Sequence, residues 1–203
     1  MSQQKKSFSK FLATAATTTI VASAFAASAS AASFTDVTPK YKEAVDFVVS
    51  KGVAGYSDGT FGVSKAIKRA EAAVMLAKVL EFDIKAAPAS GFKDVPKYAV
   101  EYVNALKEAG ITSGKSETTF GSDDLITRGE LAIWIQKGFK LTGSTEIPFT
   151  DVNSNYKEAV SALVSYDITS GISKKEFGTT HTAKRGDYAI FLNKAAKVEL
   201  TSK

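Results

Sequence analysis

Tyr41, Ala44, Val45, Val48 and Val49 follow the i, i+3, i+4, i+7, i+8 spacing that puts apolar side chains on one stripe of a helix. Tyr156, Ala159, Val160, Leu163 and Val164 repeat it, and Tyr98, Tyr102, Ala105 and Leu106 follow a similar one. The pattern predicts three helices, with start chemistry supplied by Thr38-Pro39, Pro96 and Asn153. Gly52 and Gly110 stand where a left-handed cap would end the first two; Asp167 takes that place in the third. A loop then runs to Phe61, Phe120 or Phe177, each followed by Gly, with the ring expected to plug the loop onto the core. A second set of helices is predicted to begin near Arg69, Arg128 and Arg185. These carry Ala73, Val74, Ala77 and Leu80; Leu131, Ile135 and Phe139; and Ile190 and Phe191. The first helices, with their clear stripes and Tyr, are the natural candidates for a central bundle.

The pattern is a repeat. Phe34-Thr35-Asp36-Val37 recurs as Phe92-Lys93-Asp94-Val95 and Phe149-Thr150-Asp151-Val152, at separations of 58 and 57 residues. About 35 residues after each opening comes an Arg before an acid: Lys68-Arg69-Ala70-Glu71, Thr127-Arg128-Gly129-Glu130 and Lys184-Arg185-Gly186-Asp187. Two landmarks holding one spacing three times divide the chain into residues 32–90, 91–147 and 148–203. A unit of this size barely supports a core alone, so the three are expected to share one. The fold class is mainly α, with three tandem helix-loop-helix repeats.

Residues 1–31 stand apart from the repeats. Lys5, Lys6 and Lys10 precede an apolar stretch from Phe11 to Phe25, followed by small residues ending Ala29-Ser30-Ala31. This is the order of a secretory signal peptide cut after Ala31. The competing reading, a membrane anchor, needs roughly 20 strongly apolar residues, and this stretch is diluted by Thr and Ser. Of the 203 residues 26 are Lys or Arg and 21 Asp or Glu; removing the three leader lysines lowers the net charge from +5 to +2. That weakens any argument for nucleic acid as a partner. The absence of Cys excludes disulfides and thiolate chemistry, and a single His, His181, excludes a multi-histidine metal centre. No cofactor or metal is expected.

Candidate chemistry lies at the second helix starts. Thr127 to Glu130 is a capping box, which puts Arg128 in the first helical turn, where a helix already carries about half a positive charge. Arg69 and Arg185 occupy the same place, with Lys68 and Lys184 beside them. In one reading each Arg pairs with the acid two residues on or with a neighbouring unit's carboxylate. In the other, free backbone N–H groups and a guanidinium fork form an anion site.

Taken together, the Phe-x-Asp-Val opening, the Gly55-Tyr56-Ser57-Asp58-Gly59-Thr60-Phe61 loop and the Arg-x-acid tetrapeptide resemble S-layer homology domains. The resemblance covers about residues 33 to 199. It implies a pseudo-threefold spindle around a three-helix bundle that anchors surface-layer proteins and exoenzymes non-covalently to Gram-positive cell walls. The ligand it implies is a secondary cell-wall polysaccharide, commonly pyruvylated on N-acetylmannosamine, with other surface-layer subunits as further partners. Carried over by position, Arg69, Arg128 and Arg185 receive the carboxylate in grooves between repeats, supported by Lys68, Thr127 and Lys184. Gly55, Tyr56, Asp58 and Gly59 line the sugar side.

There are departures. Lys68 and Lys184 replace a capping Thr, which removes an N-cap contribution of about 1 kcal/mol from each helix. Gly129 and Gly186 replace Ala, and Tyr41, Tyr98 and Tyr156 stand where the family commonly has Trp. Repeats two and three lack the Asp-Gly loop, which ranks repeat one first as a binding site and repeat three last. Trp134 reads as core, while His181 and Lys174-Lys175 read as solvated loop.

An exported wall-associated enzyme, or its anchoring fragment, is the alternative function. Asp36, Asp94 and Asp151 recur with the repeat, which suits a turn role better than a unique catalytic pair, so no catalysis is expected.

Overall fold

A computed structural model describes residues 34–143 and 146–201; the signal-peptide segment at residues 1–31 lies outside the described residues. Six helices follow in pairs: α1 (Pro39–Ser50) and α2 (Arg69–Val79), α3 (Val100–Glu108) and α4 (Arg128–Gly138), α5 (Ser154–Ser165) and α6 (Arg185–Thr201). Strand pairing among the described residues is limited to three isolated antiparallel bridges, Ala66 to Lys184, Lys68 to Leu125 and Thr127 to Thr182. No described helix is long and apolar enough to cross a membrane.

Each repeat is tied within itself by one carboxylate. Asp36 Oδ1 accepts the Phe61 N–H, and its Oδ2 accepts those of Gly62 and Val63, all at 2.8 Å. Asp94 does the same for Phe120, Gly121 and Ser122, and Asp151 for Phe177, Gly178 and Thr179. This is the turn role the repeat spacing suggested. The loop Phe is fully buried in all three repeats and meets the opening Phe at a centroid distance of 5.6 to 5.9 Å. Gly55 leaves room for that contact, since a Cβ there would lie 2.2 Å from the Phe34 ring.

The repeats join in a cycle. α3 packs on α2, α5 on α4 and α1 on α6, so each first helix leans on the second helix of the preceding repeat. At the centre the residues two before each Arg form a hydrogen-bonded ring. Ile67 N–H donates to Ala183 O, Ala183 N–H to Ile126 O, and Ile126 N–H to Ile67 O, at 2.9 to 3.1 Å. All three side chains are buried.

The central helices are α2, α4 and α6 rather than the first helices. α6 contacts both α2 and α4, and Gly138 of α4 comes so close to the end of α2 that a Cβ would lie 2.9 Å from Cδ1 of Leu80, the residue that caps α2, and 3.6 Å from Leu76 Cδ1 within it. α2 buries Ala70, Ala72, Ala73, Met75, Leu76, Ala77 and Val79, nearly its whole circumference. The reason is physical: a clear apolar stripe marks a helix with a neighbour on one side only, whereas a helix apolar all round must sit inside. One stripe also shifts register. Pro96 opens a 3-10 turn at Lys97–Ala99, so Ala99, Val103 and Leu106 face inward while Tyr98 is 59% exposed.

Helix ends follow the expected chemistry except at Thr38. Gly52 and Gly110 adopt φ of 81° and 69°, and Asp167 enters the same left-handed region at 55° without the freedom of glycine. The Asn153 side chain caps α5, whereas Thr38 makes no side-chain cap and α1 relies on Pro39.

Candidate functional site

The three arginines leave their helix starts and cross into the next repeat. Arg69 is 3% exposed, Arg128 9% and Arg185 6%. Arg69 Nε donates to Phe120 O at 3.1 Å, Arg128 Nε to Phe177 O at 2.9 Å, and Arg185 Nη2 to Ala54 O at 2.8 Å. Each guanidinium also lies against two aromatic rings: Phe120 and Trp134 for Arg69, Phe177 and Phe191 for Arg128, Phe61 and Tyr56 for Arg185, at 4.8 to 5.3 Å. Ring faces attract a cation, more so when water is excluded. This explains how a cation is held beside a helix N-terminus: the side chain is anchored outside the helix. Burial pushes all three guanidinium pKa values down; nearby carboxylates push back for Arg69 and Arg128, and Tyr56 followed by Glu71 does so for Arg185.

One half of the sequence-derived anion site is absent. The helix-start N–H groups are taken by the next repeat's backbone: Arg69 and Ala70 donate to Asp124 O and Ser122 O, Arg128 and Gly129 to His181 O and Thr179 O, Arg185 and Gly186 to Lys65 O and Val63 O. What remains for a ligand is the guanidinium edge.

The three edges differ. Arg69 Nη1 lies 2.9 Å from Glu130 Oε1, and Lys115 Nζ reaches the same oxygen at 2.8 Å. This is the internal pairing with a neighbouring unit's carboxylate. Burial opposes the Glu130 charge, but Lys115, the Thr127 N–H and Arg69 together hold its carboxyl below the usual range. Among the described residues no carboxylate comes within 4.0 Å of Arg128 or Arg185, and Arg185 Nε is buried without a partner. Arg128 lines an open cavity of about 250 Å³ together with Lys40, Lys194, Asp187, Gly171 and Phe191. Arg185 lines one of about 310 Å³ with Gly55, Tyr56, Glu71, Lys78 and Tyr98. Both linings carry net positive charge.

The other predicted residues fall as follows. Gly55 and Tyr56 line a cavity, but opposite Arg185 rather than Arg69: the repeat-one loop belongs to the groove of the repeat-three arginine. Asp58 folds its own turn, accepting from the Thr60 N–H and hydroxyl, and Gly59 sits in that turn. Thr127 completes the capping box with Glu130. Lys68 pairs with Asp123 at 2.6 Å on the surface, and Lys184 is exposed. Trp134 is buried against Phe120 and Arg69. Lys40, Lys194 and Tyr98 were missed. No motif marks them, because only the cyclic packing brings them to a groove. No cluster of metal-ligating side chains occurs among the described residues.

Comparison with known proteins matches the S-layer homology domain to residues 33–73, 91–132 and 148–189, more than half of the chain. The chain is 35% identical over 181 residues to the surface-layer 125 kDa protein of Lysinibacillus sphaericus, covering 86% of this chain and 15% of that protein. It is 28% identical to the S-layer protein of Bacillus licheniformis, covering 92% and 22%, and 29% identical to an uncharacterized cell wall amidase of Bacillus anthracis, covering 68% and 27%. The chain thus spans between 15% and 27% of the length of these relatives.

Proposed function

The chain belongs to the S-layer homology domain family, and on that premise we propose that it is a secreted, non-covalent anchor in the cell wall or surface layer of a Gram-positive-type bacterium. Its ligand is a carboxylate-bearing secondary cell-wall polysaccharide, with pyruvylated N-acetylmannosamine as the recognised unit. Arg128 and Arg185 receive the carboxylate, and residues 1–31 direct export. Arg69 serves the packing of its groove, with its Nη1 bonded to Glu130. Further surface-layer subunits are proposed as neighbours on the wall.

One observation carries this reading. Two guanidiniums are nine-tenths buried, edge a cavity open to solvent, and have no carboxylate in ion-pair reach among the described residues. A buried charge without a counter-charge costs several kcal/mol. A ligand carboxylate offsets that cost with charge-assisted hydrogen bonds worth about 1.5 to 3 kcal/mol net. Lys40 and Lys194 in one groove, and Lys78 in the other, favour an anion further. Two grooves on one repetitive polymer add avidity without new contacts.

The alternative is that the chain is the anchoring part of an exported wall enzyme, as the likeness to the amidase suggests. The repeated Asp residues offer no catalytic pair, since each carboxylate already accepts three backbone N–H groups. The test is calorimetric titration with pyruvylated wall polymer. Arg128→Gln and Arg185→Gln should each weaken binding about 10- to 100-fold, on the same 1.5 to 3 kcal/mol. Removing the ketal from the polymer should abolish binding; full affinity for the stripped polymer refutes the proposal.

A further inference from the structure

The carboxylate two residues after each arginine faces the preceding repeat's arginine across a groove, and its own partner differs in the three cases. Glu130 Oε2 accepts the Thr127 N–H at 2.9 Å, which leaves Oε1 turned toward Arg69 at 2.9 Å. Glu71 is drawn off: Oε1 accepts the Tyr56 hydroxyl at 3.1 Å and Oε2 the Lys68 N–H at 3.2 Å. Asp187 is one methylene shorter and is held by the Tyr41 hydroxyl at 3.2 Å and Lys40 at 3.7 Å. The residue at the Tyr56 place in repeat two is Lys115, a cation that shares Glu130 Oε1 with Arg69 rather than removing it.

We propose that this acidic residue decides which grooves accept an anionic sugar. Glu130 occupies the Arg69 site as the protein's own substitute for the ligand carboxylate, while Tyr56 and the short reach of Asp187 keep the Arg185 and Arg128 sites open. The inference rests on the wall-anchor reading and adds the residues that set groove selectivity. The geometry carries it: each of the three guanidiniums lies against two aromatic rings, Arg185 taking Tyr56 as its second ring where Arg69 and Arg128 take Trp134 and Phe191, and only Arg69 has a carboxylate oxygen within 4.0 Å among the described residues. In the one cage with a bound carboxylate the fork nitrogen Nη1 is paired with it, and in one open cage the Arg185 Nε has no partner.

The test uses a single-carboxylate probe, an N-acetylmannosamine methyl glycoside carrying one pyruvyl ketal, and counts sites by calorimetry on the full chain. Glu130→Asp, which copies the length found in repeat three, should add one site. Glu130→Gln should do the same and retains an oxygen for the Thr127 N–H if the first variant folds poorly. Asp187→Glu should extend to Arg128 and remove one site; Tyr56→Phe should release Glu71 toward Arg185 and remove another. Three sites in the parent, or variants that keep the parent's count, overturn the proposal while leaving the anchor reading intact. A parent that binds no probe overturns both.

Discussion

Asp36→Asn tests the account of the loop knots at a single atom. The carboxylate accepts one N–H on Oδ1 and two on Oδ2, each at 2.8 Å. Asparagine has the same outline but only one acceptor oxygen. With that oxygen serving Gly62 and Val63, its amide N–H groups face the Phe61 N–H, donor against donor. The variant gives up one charge-assisted bond and weakens two others, each worth about 1.5 to 3 kcal/mol. Partial solvent access lets water replace some of this, so the net cost should be about 2 to 4 kcal/mol, or roughly 4 to 16 °C in Tm for a chain of this size. Urea titration followed by far-UV circular dichroism at pH 7 measures it. A second arm uses pH. Burial opposes ionisation of Asp36, yet the backbone donors hold its carboxyl below the ordinary value of 3.8. A folded-state pKa below the unfolded one means stability that is present above about pH 4 and lost as pH falls through the folded value. The gap between parent and variant should therefore narrow as pH falls below about 4. A variant within about 0.5 kcal/mol of the parent at pH 7, or a gap that does not change with pH, refutes the reasoning, since surface changes without such partners fall in that range.

Two further substitutions probe the packing between repeats and the backbone at a helix end. Gly186→Ala would put a Cβ 2.8 Å from Val63 Cβ and O and 2.9 Å from Tyr41 Cε1. The clash should outweigh the roughly 1 kcal/mol gained in helix propensity and leave a net loss of about 1 kcal/mol, read as a lower Tm; an unchanged or higher Tm contradicts it. Asp167→Gly removes a side chain from a residue at φ 55° and should raise Tm by about 1 to 4 °C, from roughly 0.5 to 1 kcal/mol. A fall in Tm would show that the Asp167 side chain has a role the backbone argument misses.

Much of this was legible in the sequence because repetition is a long-range signal. The helix starts at Arg69, Arg128 and Arg185, the buried loop Phe residues and the turn role of the repeated Asp all follow from residues that recur at fixed spacing. What failed was read from single repeats. The clean stripes of α1 and α5 suggested a centre, but one-sided apolarity is the mark of an outer helix. Tyr98 was placed inward by spacing that the 3-10 turn at Lys97–Ala99 rotates away. Gly129 and Gly186, which stand in place of Ala, make space for Thr179 and Tyr156 and for Val63 and Tyr41. Ala70 holds the equivalent place in repeat one, and there Tyr98 lies out in solvent. The pairing of a repeat-one loop with Arg185 was out of reach, because the handedness of the cycle leaves no mark on any one repeat.

Ile67, Ala183 and Ile126 each give one amide proton and take one in return, and the third transfer returns to the first residue. Such a circuit fixes a copy number. Two units would leave a donor and an acceptor stranded in an apolar interior, and a fourth would find every hand already held. Duplication of the repeat in a gene can therefore lengthen this protein only in multiples of three if each new unit is to be housed in the same way.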